Sequence, residues 1–175
     1  MTRLSAHGLS AEVGGGWEGE IYLRPPETTA PAPSARAQGV GGAASAGGSG
    51  GAQAPAVEYP VLQLANFTLP AQRGDFGGGA VELMGAHNLF VSLFAYGPES
   101  VGAAMFASTT LPWPVHPDTF GTNKLQRPLP GQAGAQWFFT AAGRPFCLYV
   151  VLGSYLLRRA TVRPLNRVLQ TITIS

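Results

Sequence analysis

Cysteine and lysine each occur once in this 175-residue chain, as Cys147 and Lys124. A lone cysteine excludes an internal disulfide and any zinc site built on several thiolates, and it suits a reducing, cytoplasmic setting. Charged residues are scarce, at 11%. No unbroken apolar run exceeds the seven residues Phe146 to Leu152. A membrane-crossing helix needs about 20, so no membrane partner is expected. Met1 to Val13 has one early arginine and no continuous apolar core, so no secretory leader is expected either. Ten arginines against one lysine read as GC-rich coding in a bacterium.

Acids are missing altogether from residues 119–175, which carry Lys124, Arg127, Arg144, Arg158, Arg159, Arg163 and Arg167, a net +7. All nine acids and four arginines fall in residues 1–118, a net −5. Such a division suggests a polar molecule or a basic face that meets an acidic partner or a second copy of the chain. The alternative is that early and late strands interleave in an antiparallel sheet and the charges cancel.

Glycine and proline together make 39 residues, many of them between Pro31 and Ala56. That stretch is low-complexity Ala, Gly, Ser, Pro and Gln and carries only Arg36 as charge. Such composition cannot bury apolar surface, so 31–56 is expected to be a flexible insert loop within a single domain spanning 1–175. Loop-closure entropy grows slowly with length, which makes the insert tolerable.

Outside it, period-2 patterns dominate. Leu9 to Val13, Trp17 to Arg24, Val61 to Leu69 and Leu89 to Tyr96 read as strands, with Ala80 to Met84 as the hairpin partner of the last. Ala135 to Thr140 and Pro145 to Leu152 form the strongest hairpin, turning at Ala141 to Arg144. Leu125 to Leu129 is a weak strand. Gly97-Pro98-Glu99-Ser100 reads as a helix start, with a helix to about Ala107 burying Val101, Ala104 and Met105. Leu111 to Pro117, with three prolines, is an extended loop. A last helix is expected from about Thr161, with Leu165, Val168, Leu169 and Ile172 as one apolar stripe and a short strand after it. The fold class expected is α+β: a mostly antiparallel sheet with two amphipathic helices.

Gly16-Trp17-Glu18 leading into a strand, and Gly143-Arg144-Pro145-Phe146-Cys147-Leu148-Tyr149-Val150-Val151-Leu152 ahead of an amphipathic helix, resemble the Mog1/PsbP-like fold family. The resemblance implies a three-layer α/β/α sandwich and a non-catalytic binding or assembly role. It assigns no functional positions.

Reactive motifs do not converge. Asp75-Phe76-Gly77 matches a kinase triplet without the other kinase elements, and Asn66-Phe67-Thr68 is a glycosylation pattern inside a strand. Gly77-Gly78-Gly79 precedes a strand rather than the helix a phosphate loop feeds. His7, His87 and His116 have no second ligand at metal spacing, and proline is expected to turn His116 and Asp118 to opposite sides. Cys147, alternating with Tyr149 and Val151, reads as buried and inert. No catalytic set, metal or cofactor is expected. Two features point to binding. Arg159, Arg163 and Arg167 form a row that grips an acidic protein surface or phosphates, and nucleic acid is disfavoured because no aromatics interleave with them. Trp113, between Pro112 and Pro114, is expected to be a rigidly held interface anchor, the alternative being that it folds back over an open core edge.

The sequence therefore supports a binding or assembly module, an accessory part of a larger complex. Behind it stand a carrier of a small apolar ligand, suggested by Trp137, Phe138, Phe139, Phe146 and Tyr149, and a small hydrolase using His116 and Asp118.

Overall fold

The structure, a computed structural model, describes residues 1–24 and 59–175. The insert expected at 31–56 lies outside the described residues. Two antiparallel sheets and one α-helix make up the regular structure that is described.

The smaller sheet pairs β1 (Thr2–Ala6) with β2 (Leu9–Val13), and β2 with the terminal β8 (Thr173–Ile174). A two-residue turn joins β1 to β2. His7 and Gly8 both sit at positive φ, 52° and 78°, the geometry that matches strand twist in a tight hairpin. Gly8 is further fixed by the chain end: its carbonyl accepts the Ser175 N–H at 2.9 Å. A Cβ at Gly8 would meet the Ser175 carbonyl oxygen at 2.7 Å.

The larger sheet has the order β3-β4-β5-β7-β6, from β3 (Glu18–Arg24), β4 (Tyr59–Ala65), β5 (Leu89–Ala95), β6 (Ala133–Ala141) and β7 (Arg144–Leu152). The inner strands β5 and β7 are buried almost throughout, so their sequences run apolar on both faces instead of alternating. One face presents Leu62, Leu64, Val91, Leu93, Leu148 and Val150 to the small sheet and to α1 (Arg158–Leu169). The helix buries Thr161, Val162, Leu165, Val168 and Leu169 there; Leu165, Val168 and Leu169 belong to the stripe expected from spacing, and its fourth member, Ile172, is buried just beyond the helix end. The other face presents Val61, Phe90, Phe94, Cys147, Tyr149 and Val151 to irregular chain carrying Phe67, Phe76, Val81 and Met84. Phe76 stands edge-on to Phe94 and Tyr149, at centroid distances of 5.0 and 5.2 Å. Arg24 pairs with Asp75 at 2.7 Å, and Arg73 bonds Glu20 and Gln63, fastening this covering segment to β3 and β4.

The expected α+β class with two amphipathic helices, and the three-layer α/β/α sandwich, are therefore corrected: the molecule is mostly β. The second helix is absent from 97–107. Two single 3-10 turns, Pro98–Ser100 and Ala104–Phe106, stand in its place. Val101 and Ala103 are extended and Gly102 takes φ +83°, so the backbone leaves helical geometry between the turns. Val101 and Met105, expected inside, are 53% and 54% exposed, and Phe106 is buried instead. Ala80 to Met84 is a 3-10 turn, not a strand, and β5 pairs with β4 and β7. β4 ends at Ala65, because Asn66 spends its side chain on the neighbouring loop, accepting the Leu89 N–H at 2.7 Å and donating to the His87 carbonyl at 3.0 Å. Leu125 to Leu129 is irregular. The helix begins a turn early, at Arg158, where the Thr161 hydroxyl donates back to the Leu157 carbonyl at 3.1 Å. Among the described residues no helix is long and apolar enough to cross a membrane.

Candidate functional site

The helix start at Arg158 places Arg159, Arg163 and Arg167 all on α1, at i, i+4 and i+8. A rise of 1.5 Å per residue spaces their Cα atoms about 6 Å apart, on one face over about 12 Å. All three are exposed, opposite the buried stripe. Arg159 comes within 3.9 Å of an Asp118 carboxylate oxygen, with both side chains largely in solvent. Arg163 and Arg167 meet no carboxylate among the described residues. Like charges one turn apart destabilise a helix by about 0.2–0.5 kcal/mol per pair, so this row costs stability until an anion reaches it.

The row borders a groove. The loop Pro114–Pro117 forms the other wall, and Val162, Asn166 and Gln170 complete a lining that encloses about 520 Å³. Asn166 sets the width. Its Oδ1 accepts the Val115 N–H at 2.8 Å, and its Nδ2 donates to the Val115 carbonyl at 2.9 Å. One side chain thus satisfies both backbone groups of a buried loop residue, as a neighbouring strand would. The Val115 side chain enters the core, so the loop is held from beneath and from the side.

Trp113 occupies the same loop, with a cis peptide to Pro114. Its ring is half-buried and stands edge-on to Phe139 at 6.1 Å, packed on the main core. The structure thus brings three of the four expected binding residues together at the groove and sets Trp113 behind it, where it supports the loop.

Folding interleaves the sequence's two charge halves. β5 of the acidic half pairs with β7 of the basic half, and Arg127 reaches Glu82 at 2.9 Å. Two further cations are engaged locally. Arg144 donates to the Ser175 carbonyl at 2.8 Å and lies over Phe146, and Arg158 stacks on Tyr155 at 4.0 Å. Of the seven cations, four (Arg158, Arg159, Arg163 and Arg167) lie on α1, while Lys124 and Arg144 lie elsewhere without a carboxylate partner among the described residues.

His116 and Asp118 do not diverge as expected. A 3-10 turn, Pro117–Thr119, brings the carboxylate within 3.5 Å of Nδ1, which accepts the Asp118 N–H. The bond from the Asp118 N–H to the His116 ring caps the turn, and the two side chains are 72% and 59% exposed. Asp75 serves the ion pair with Arg24, and Gly77 and Gly79 take positive φ in a turn. Cys147 is fully buried, and burial pushes its thiol up to about 12. No group of three or more His, Cys, Asp or Glu able to hold a metal occurs among the described residues.

Sequence reading missed a polar row across the larger sheet. Register aligns Glu20, Gln63, Ser92, Tyr149 and Gln136 on one face of all five strands. Gln63 bonds Arg73 and the Gly74 carbonyl, Tyr149 accepts the Gln126 N–H at 3.0 Å, and Gln136 bonds Gln126 and Cys147. The buried Ser92 hydroxyl finds no partner among the described residues. Only strand register reveals this row, and register is not readable before strands are paired. Beside it lies a cavity of about 140 Å³, walled mainly by Phe76, Val81, Leu125, Tyr149 and Val151.

No family model, curated protein or solved structure matches this chain.

Proposed function

We propose that this protein is a non-catalytic binding module, an accessory component of a larger assembly, and that it grips an acidic protein partner in the groove between α1 and Pro114–Pro117. The observation that carries the reading is the row Arg159, Arg163 and Arg167, exposed on the groove wall with Arg163 and Arg167 unpaired among the described residues. Arginine suits this task because its planar fork donates to a carboxylate through two bonds, and a preformed groove spares the ordering cost of a mobile one. The spacing of one helical turn fits carboxylates repeated along a partner chain.

Affinity capture from the native cell at low and high salt, with the wild type and with the triple variant Arg159→Glu, Arg163→Glu, Arg167→Glu, tests the reading. The wild type should retain an acidic protein at low salt and release it at high salt, and the reversed variant should not retain it. Equal retention by the two proteins, or no protein retained at low salt, overturns it.

A further inference from the structure

Among the described residues, the outer edge of β6 is open along one short stretch. β6 is an edge strand among the described residues, laddered to β7 on one side and joined on the other by the single bridge Gly121–Gly134. Gly134 turns its N–H and C=O away from β7, because both bond to Gly121, each at 3.0 Å. Antiparallel pairing alternates this orientation with period 2. Gln136, Phe138 and Thr140 therefore also point their backbone groups outward. Thr140 donates its N–H to the Ser108 carbonyl at 2.7 Å. Between these two fastenings, the N–H and C=O of Gln136 and Phe138 find no partner among the described residues.

The same stretch floors a groove of about 500 Å³. Ala135 to Phe138 line it on one side, and Thr119 and Asn123 to Gln126 on the other. The chain 119–126 hugs β6 at Gly134, where a Cβ would strike Leu125 at 2.9 Å, and then diverges from it. Lys124 is the only charged residue in the lining, and its Nζ bonds the Thr119 carbonyl without a carboxylate in ion-pair range among the described residues.

We propose that this gap receives a short extended segment of a partner protein, added to β6 as a sixth strand, with an acidic side chain at the Lys124 end. Four converging backbone groups recognise a main chain, whatever its side chains. The fastenings at Gly121 and Ser108 bracket the opening and limit the insert to three or four residues. They also stop the nine-residue edge of a second copy from lying flush, so self-pairing through β6 does not fit. This surface is separate from the arginine groove and does not depend on it.

Hydrogen exchange on the full chain tests the starting point. The Gln136 and Phe138 amides should exchange fast, and those of Trp137 and Phe139, bonded to β7, slowly. Protected Gln136 and Phe138 amides in the free protein overturn the proposal. The probe for occupancy is a displayed library of linear heptapeptides, panned on wild type and on Gln136→Pro. Proline at 136 removes one outward N–H and leaves the β7 ladder intact. Gln136→Ala removes the side chain alone. Peptides enriched on wild type should lose roughly tenfold or more on Gln136→Pro, and should stay within about threefold on Gln136→Ala. N-methylation at alternate peptide positions should weaken binding comparably, a result independent of how well the proline variant folds. No enrichment, equal binding to wild type and Gln136→Pro, or insensitivity to N-methylation refutes strand addition.

Discussion

Asn166 is the residue on which the groove's shape most directly rests, and its removal gives a measurable consequence. Its amide donates to the Val115 carbonyl and accepts the Val115 N–H, and Val115 is only 5% exposed. Asn166→Ala leaves both backbone groups without partners. A net hydrogen bond is worth about 0.5–1.5 kcal/mol, and an unsatisfied buried group costs about 1–3 kcal/mol. The groove admits water to the outer side of the loop, so the lower part of that range applies, about 2 kcal/mol for the pair. For a chain of this size that corresponds to a fall in Tm of about 4–8 °C. Urea denaturation should show a lower midpoint with an unchanged slope. Asn166→Asp separates hydrogen bonding from packing, because it preserves volume and the acceptor but turns a second oxygen toward the Val115 carbonyl. It should also destabilise, and exchange at the Val115 amide should stay slower than in Asn166→Ala. If Asn166→Asp lies within about 0.5 kcal/mol of wild type, the two-bond clip is not what holds the loop.

Other perturbations have defined signs. Reversing Arg163 and Arg167 to glutamate should change stability by no more than about 0.5 kcal/mol, because both are exposed and unpaired among the described residues; a large loss in urea titration would show that they hold the fold. Ser92→Ala should leave stability equal or raise it by up to about 1 kcal/mol, since it deletes a buried hydroxyl that has no partner among the described residues; a loss beyond about 1 kcal/mol would reveal a bond to that hydroxyl. Burial raises Cys147 from 9.0 to about 12 and Tyr22 from 10.0 to about 12. The unfolded chain then releases these protons first, so the stability that depends on these two groups is fully present below pH 9 and is lost as pH rises toward 12. Cys147→Ala should make that decline shallower by up to about 1.4 kcal/mol per pH unit, read from denaturation midpoints across the range. An unchanged decline would place the thiol in water.

The sequence made the core legible wherever period and burial coincide. The β6–β7 hairpin, β2 and the α1 stripe are found where apolar spacing puts them, because each element buries one continuous apolar surface. It misled where local chemistry overrides the pattern. Gly102 and the extended residues beside it split an apparently helical 97–107, and the Asn66 side chain ends β4 four residues before its alternation does. β1 went unseen because its turn, His7-Gly8, lacks the usual Asn-Gly or Asp-Gly signal and because the strand is largely exposed. The arginine row was visible as spacing on a helix, but a row is only a charged face. It becomes a groove through Asn166, whose partner Val115 lies 51 residues away in the chain. No periodicity encodes such a contact. The same holds for the β6 edge, where strand order alone determines which backbone groups lack a neighbour. In both places the sequence specifies the chemistry on offer, and long-range pairing specifies where a partner would meet it.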